Sequence, residues 1–333
     1  MLPTCDDRLI WDIWLSVHNL SVLILSDELK IFPLIEKQAL NAEEIATKLS
    51  LSPRSTEAIL GMLSCLGLLT KRNNKLYLTE ASRNFLLPQS HYYWGGMLNL
   101  LRNMPLTLAV LKEALRKDNL GRDGKEIWES HEISPEQARV FTSAMHSHSF
   151  AAAMGMAKNG DFTGVKNLLD VGGGSGCFCI ALAQFYPDTS FTVMELPVVC
   201  KILTEYTKKY KLEEKIKPLP LNMFKDPWPK TNDAIFFSNI FHDWSKEKCK
   251  FLAKQSFEAL PSQGRIYIHE MLLDDDKSGP YATTSFSLTM LITTEGKQFT
   301  AKEIIEILES VGFANITITN TYGYYSLITG LKP

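Results

Sequence analysis

Two stretches of the sequence carry side chains able to move a proton. Phe241-His242-Asp243-Trp244 follows the apolar run "DAIFFSNI", and a second apolar run, "GRIYIHEML", carries Glu270. An imidazole titrates near neutrality, and a carboxylate on one ring nitrogen fixes the tautomer and makes the other nitrogen a better base. A third stretch, "LLDVGGGSGCFCIALAQ" (168–184), sets four glycines in five positions behind an acid, Asp170. Glycine loses more conformational freedom on folding than any other residue, so such a cluster calls for a ligand that approaches the backbone closely. Glu195 closes the run "FTVME", about where an acid that accepts both hydroxyls of a ribose is expected after a glycine-rich turn.

These residues need a frame that brings strand ends together. From Val165 onward, apolar runs of strand length ("KNLLDV", "SFTVMEL", "KIKPLPLNMF", "DAIFFSNI", "GRIYIHEML") alternate with helical patterns ("CFCIALAQFY", "VVCKILTEYTKKY", "KEKCKFLAKQSFEAL", "AKEIIEILESVG"). That alternation predicts an α/β fold with a parallel, doubly wound, Rossmann-like sheet. The closing stretch "ANITITNTYGYYSLITGLK" predicts two strands around a Gly turn and an antiparallel strand at one edge. The glycine cluster falls at the first strand-to-helix turn, where such sheets hold nucleotides. A dinucleotide fingerprint, G-x-G-x-x-G, fails at its third position: after Gly172 and Gly174 stands Cys177.

The first half reads differently. Helical patterns cover 8–40. Asn41 and Glu44 are spaced as a capping box, "SLSPRS" restarts a helix, and "TKRNNKLYLTE" predicts a hairpin turning at Asn73-Asn74. Helix–turn–helix–hairpin is the outline of a winged helix. A DNA-reading helix needs Arg, Lys, Asn or Gln reaching base edges, and the helix near Ser55 is mostly Ile, Leu, Met and Ala behind Arg54, so a packing or dimerisation role is expected. Residues 92–160 look helical, with Ser134 and Gln137 capping a long helix. His146 and His148, two apart, face different sides of it as flank or pocket-wall residues rather than metal ligands. The domains expected are 1–100 for dimerisation, 101–160 as a helical linker lining the cleft, and 161–333 for the cofactor.

The order Asp170-x-Gly172-x-Gly174-x-Gly176, then "MELP", "LNMF", "FHDW", "HEMLLDD" and "TEGKQFT", resembles the plant caffeate-type and acetylserotonin-type O-methyltransferases over nearly the whole chain. The resemblance implies S-adenosylmethionine (SAM) as cofactor, S-adenosylhomocysteine (SAH) as product, and a winged-helix dimerisation domain forming a homodimer. It also implies that the strands before His242 and through Glu270 are neighbours, with His242 deprotonating a hydroxyl that attacks the methyl group. Gly172, Gly174, Glu195, Asn222, Met223, Ser238, Asn239 and Phe141 are the cofactor-binding candidates. Met145, Phe241, Trp244, Met290 and Leu291 are the candidates for the acceptor wall. The family's "GKERT" is "GKQFT" here, so the second group expected beside the base is Gln298, with Glu295 nearby, and Ser238-Asn239 stand where the family has Lys or Arg.

Magnitudes narrow the acceptor. Deprotonating a phenol of pKa about 10 at pH 7 costs roughly 4 kcal/mol, and an alkanol near 16 roughly 12. A positioned base contributes about 10²–10⁴ in rate, enough for a phenolic or enolic hydroxyl of a small aromatic metabolite. The adjacent acids Asp274, Asp275 and Asp276 are expected to be solvated, and no metal is expected. A net charge of −2 offers no global attraction to nucleic acid or anionic membrane. No continuous apolar run of spanning length is expected, and "MLPTCDDRLIWDIW" lacks the cationic leader of a secretory signal. Six cysteines without C-x-x-C fit free thiols in the cytoplasm. Two other classes stay open: a SAM-binding relative that methylates N or C or does not methylate, and a winged-helix regulator that senses a ligand.

Overall fold

The change of periodicity near Val165 marks where a seven-stranded sheet begins. The computed structural model describes residues 2–104, 108–117 and 133–333, so the linker segments 105–107 and 118–132 lie outside the described residues. The chain forms two compact units, Met1–Met104 and Pro105–Pro333.

The first unit holds α1 (Arg8–Leu15), α2 (Val17–Glu28), α3 (Ile31–Lys37), α4 (Ala42–Leu49), α5 (Pro53–Cys65), β1 (Leu69–Arg72), β2 (Lys75–Leu78), α6 (Glu80–Phe85) and α7 (Gly95–Arg102). The capping box at α4 forms both ways: Glu44 N donates to Asn41 Oδ1 at 2.9 Å and Asn41 N to Glu44 Oε2 at 2.7 Å. Ser52 caps α5, with Pro53 in its first turn. Asn73 and Asn74 take the left-handed conformation between β1 and β2, as a tight two-residue hairpin demands. On α5, Thr56, Leu60 and Leu63 turn inward while Arg54, Ser55, Glu57 and Ala58 stay exposed.

The expectation of no spanning-length apolar run needs correction. Arg8–Glu28, 21 residues with mean hydropathy 1.5, is long and apolar enough by length and composition to cross a membrane. Asp12, Ser16, His18 and Asn19 interrupt a strictly continuous run, but the average tolerates them. Leu9, Trp11, Ile13, Trp14 and Val17 are exposed on the isolated chain.

The second unit holds α8 (Leu108–Lys117), α9 (Pro135–Asn159), β3 (Asn167–Val171), α10 (Cys177–Phe185), β4 (Ser190–Glu195), α11 (Pro197–Tyr210), β5 (Ile216–Pro220), β6 (Ala234–Ser238), α12 (Lys246–Ala259), β7 (Arg265–Met271), α13 (Tyr281–Thr293), α14 (Ala301–Ser310), β8 (Ala314–Tyr322) and β9 (Tyr325–Leu331). Strand order is β5-β4-β3-β6-β7-β9-β8. β3 to β7 pair in parallel, and the closing hairpin adds β9 antiparallel to β7, with β8 outside it. Strands covered on both faces read as nearly continuous apolar runs; Ile235, Phe236 and Phe237 of β6 and Ile266, Tyr267 and Ile268 of β7 are all fully buried. The chain leaves β3 toward β4 on one side and reaches β6 on the other, so the switch point of the sheet, where such folds bind ligands, opens between the carboxyl ends of β3 and β6.

Candidate active site

The glycines occupy that switch point. Gly172, Gly174 and Gly176 all have positive φ (72°, 56° and 71°), a region L-residues rarely adopt. A Cβ on Gly172 would meet Ile240 Cδ1 at 2.5 Å, and one on Gly173 would run into the Asp170 carboxylate. In front of Gly174 there is open space. The turn therefore shows bare backbone outward and packs tightly inward.

Asp170 and Glu195 lie under and beside this turn. Burial pushes the Asp170 carboxyl up to about 7, with the charge of Glu195 adding and a hydrogen bond from the Cys179 thiol opposing. Burial likewise lifts Glu195 to about 7, against N–H bonds from Leu196 (2.8 Å) and Gly174 (3.1 Å). Each Glu195 oxygen keeps a lone pair beyond these bonds. A ligand carrying positive charge stabilises the ionised forms of both acids.

Around the turn the other cofactor-binding candidates separate. Asn222 is buried, and one lone pair of its Oδ1 accepts from Phe224 N at 2.8 Å in a local turn. Met223 is partly buried and its carbonyl holds Trp228 Nε1 at 2.9 Å. Ser238 ends β6 with Oγ 3.0 Å from His269 Nδ1. Asn239 has φ 55°, and its Oδ1 is buried without a partner among the described residues. Phe141 is exposed on α9. His146, read above as a flank or pocket-wall residue, is buried, with Nδ1 2.8 Å from Ser175 Oγ in the glycine turn.

The histidine stands at the end of β6. Phe241–Asp243 form a single 3-10 turn, pinned by Phe241, which is fully buried and edge-on to Phe237 at 5.2 Å. His242 Nδ1 lies 2.7 Å from Glu270 Oε2, while Glu270 Oε1 accepts from Ile240 N at 3.1 Å and His242 N at 3.4 Å. One carboxylate thus holds both the ring and the turn that carries it. Burial opposes charge on the ring, but the carboxylates of Glu270 and then Asp243 outweigh it and hold the His242 pKa above its ordinary value. The ring's other nitrogen, Nε2, lies 3.6 Å from Asp243 Oδ1. Asp243 is itself pushed up to about 6 by burial, which the positive ring resists and Glu270 reinforces.

Asp243 was not singled out in the sequence, although it follows His242 directly. It supplies the second carboxylate beside the ring that Gln298 does not. Gln298 is fully buried, its N donates to Ser287 Oγ at 3.2 Å, and its amide O and N have no partner among the described residues. Glu295 is tied elsewhere, to Lys248 Nζ at 2.9 Å and Ser245 N at 3.0 Å. Gly296 presses so closely on the backbone of His242–Trp244 that no Cβ fits there.

Phe286 and Tyr325 have no local signal in the sequence, whereas His148 is read there as a flank or pocket-wall residue. Phe286 meets His242 edge-on at 5.5 Å. His148 sits 6.3 Å from Phe286 and 6.5 Å from Tyr325, and burial, with the charge of His242 adding, lowers its pKa to about 4. Met145 is partly buried and Met290 buried. Trp244 and Leu291 line a cavity of about 420 Å³ with Lys246, Leu288, Glu295 and Phe299. Asp274, Asp275 and Asp276 are exposed, and among the described residues no group of three or more His, Cys, Asp or Glu could hold a metal ion.

A family model described as the O-methyltransferase domain matches residues 109–314, and one described as the O-methyltransferase dimerisation domain matches residues 11–88. The chain is 29% identical over 332 residues to a 3-hydroxy-5-methyl-1-naphthoate 3-O-methyltransferase of Streptomyces sahachiroi, covering 97% of this chain and 95% of that one. It is 28% identical over 326 residues to acetylserotonin O-methyltransferase of Gallus gallus, covering 93% of each. Among solved structures, human N-acetylserotonin methyltransferase in complex with SAM matches with TM-score 0.85 and 26% identity, over 100% of this chain and 99% of that one. With the catalytic-domain match running through more than half of the sequence, the chain belongs to the O-methyltransferase family and is a SAM-dependent enzyme.

Proposed function

We propose that the protein methylates a phenolic or enolic hydroxyl of a small aromatic metabolite, with His242 as general base. The observation that carries this reading is the buried 2.7 Å contact between His242 Nδ1 and Glu270. It leaves Nε2 as the proton acceptor and places a negative charge where the imidazolium forms. The names of the two relatives, a hydroxynaphthoate and an acetylserotonin O-methyltransferase, support an aromatic acceptor.

The residues fit SAM. The Gly172–Gly174 turn offers backbone with no room for Cβ atoms at Gly172 and Gly173, Glu195 offers carboxylate lone pairs to a ribose, and the two acids with raised pKa favour a cationic ligand. When bound, SAM supplies an electrophilic methyl on a sulfonium, whose positive charge also favours the neutral form of a nearby imidazole. His242 Nε2 takes the hydroxyl proton while Nδ1–H stays with Glu270. The imidazolium then lies between Glu270 and Asp243. Phe286 packs edge-on against the ring, and His148, kept neutral by burial, stands beside Phe286.

The exposed apolar face of α1, with Trp11 and Trp14 5.1 Å apart, lies largely within the segment matching the dimerisation domain; a homodimer buries it. The exposed side of α5 carries Glu57 beside Arg54, which disfavours a DNA-binding regulator. All six cysteines are free, consistent with work in the reducing cytoplasm.

A panel of phenols, enols and plain alcohols incubated with methyl-labelled SAM tests the reading. Label is expected on oxygen of the phenols or enols, with plain alcohols unmodified. Label on nitrogen or carbon, or none with any acceptor although SAM binds, would overturn it.

A further inference from the structure

A hydrogen-bond chain behind the cofactor cleft sets the direction of one hydroxyl. Thr321 Oγ1 lies 3.1 Å from the carbonyl of Tyr325. A carbonyl only accepts, so Thr321 donates there. Thr321 Oγ1 then accepts from its other neighbour, His269 Nε2, at 2.9 Å, which places the ring proton on Nε2. His269 is fully buried, and burial pushes its pKa down to about 3, so the ring is neutral and Nδ1 carries a lone pair. Ser238 Oγ, 3.0 Å from that Nδ1, must donate to it. Tyr325, stacked on His269 at 4.8 Å with planes 7° apart, keeps the imidazole from swinging. A hydroxyl has one proton; with that proton turned inward, Ser238 shows only lone pairs outward.

Ser238 ends β6 at the switch point, and Ile240, two residues on, packs against Gly172. Glu195 ends β4, on the far side of β3, so the two residues stand two strand spacings apart, roughly 10 Å. SAM carries few hydrogen-bond donors: the adenine amine, the two ribose hydroxyls and the α-ammonium. If Glu195 holds the ribose and the adenine lies beyond it toward β5, the amino-acid tail would run across β3 toward β6. Its carboxylate only accepts and gains nothing from an acceptor; its ammonium only donates.

We propose that Ser238 Oγ is the acceptor for the α-ammonium of the bound cofactor, and that His269 is a positioning residue that holds the serine proton inward. The assignment rests on SAM as the ligand of the glycine turn. It also gives a function to the departure at Ser238, where the family resemblance leads to Lys or Arg: the position serves a donor on the ligand.

Calorimetric binding of SAH tests this without turnover. SAH and its analogue lacking the α-amine are titrated into the wild-type protein and Ser238→Ala, which closes a cycle between one protein group and one ligand group. The expected coupling is about tenfold or more in Kd, as for a hydrogen bond to a charged group. Additive losses would overturn the proposal. In the unaltered protein, analogues with a hydroxyl or a carbonyl in place of the amine make a second test. The hydroxyl, still a donor, is expected to keep part of the affinity, and the carbonyl to keep none of it. Equal affinity for the two would also overturn the proposal, whereas failure of wild type to bind SAH at all would strike the cofactor assignment instead.

Discussion

Replacing His242 by alanine is expected to lower kcat for a phenolic acceptor about 10²- to 10⁴-fold, the usual contribution of a positioned base, while SAH binding changes less than about threefold. The separation follows from the layout. The cofactor cradle is made by the β3–α10 turn and Glu195, whereas His242 stands beyond the end of β6 and reaches neither through a hydrogen bond found in the structure. Removing the ring leaves Glu270 bonded to Ile240 N and His242 N, so the 3-10 turn keeps two of its three ties. The residual rate rises with each pH unit, since the phenolate fraction then comes from solvent. Calorimetry with SAH and initial rates at saturating SAM check both halves. An alanine variant that turns over within tenfold of wild type would remove His242 from the chemistry.

Exchanging Glu270 for glutamine is expected to cost roughly 10- to 100-fold in kcat and to lower the His242 pKa. Glutamine has the shape of glutamate but only one accepting oxygen. If that oxygen takes Nδ1–H, its NH₂ faces the N–H groups of Ile240 and His242, two donors that then lose their acceptor. The negative charge beside the ring is also gone, so burial, which disfavours the imidazolium, is opposed by Asp243 alone. The stability effect has a definite sign. A histidine pKa raised in the folded state contributes stability below the unfolded value of about 6.5, and this is lost as pH rises through the folded value. The glutamine variant is therefore destabilised most near pH 6, by about 3 kcal/mol if the pair behaves as a typical buried one, and less at alkaline pH. Urea unfolding at pH 6 and at pH 9.5 distinguishes this from a pH-independent packing defect.

What was legible in the sequence was mostly local. Strand and helix periods, the caps at Asn41 and Ser134, and the glycine turn depend on residues within one or two turns of each other. Glu195 was legible from its distance to that turn. The meeting of His242 with Glu270, 28 residues apart, was implied only by family resemblance. Helix α13 went unrecognised: "YATTSFSLTMLIT" is rich in Ser and Thr and has no clear polar face, yet it delivers Phe286 to the ring. Tyr325 reaches the site because β9 inserts between β7 and β8, a pairing choice that no local pattern specifies. Asn222 shows another limit: the residue was singled out, but that its Oδ1 also accepts from Phe224 N is visible only in the fold. Asp243 had a signal, its place next to His242, but no indication that its carboxylate would turn back toward Nε2.

The most direct test is an NMR titration of the His242 ring in three states: free protein, SAH complex and SAM complex without acceptor. The account predicts a midpoint above the ordinary imidazole value of about 6.5 in the free protein and with SAH, and a lower midpoint with SAM, whose sulfonium opposes the ring's charge. A midpoint at or below 6.5 in the free protein, or one that is the same with SAH and SAM, would contradict a carboxylate-primed base standing beside the methyl donor.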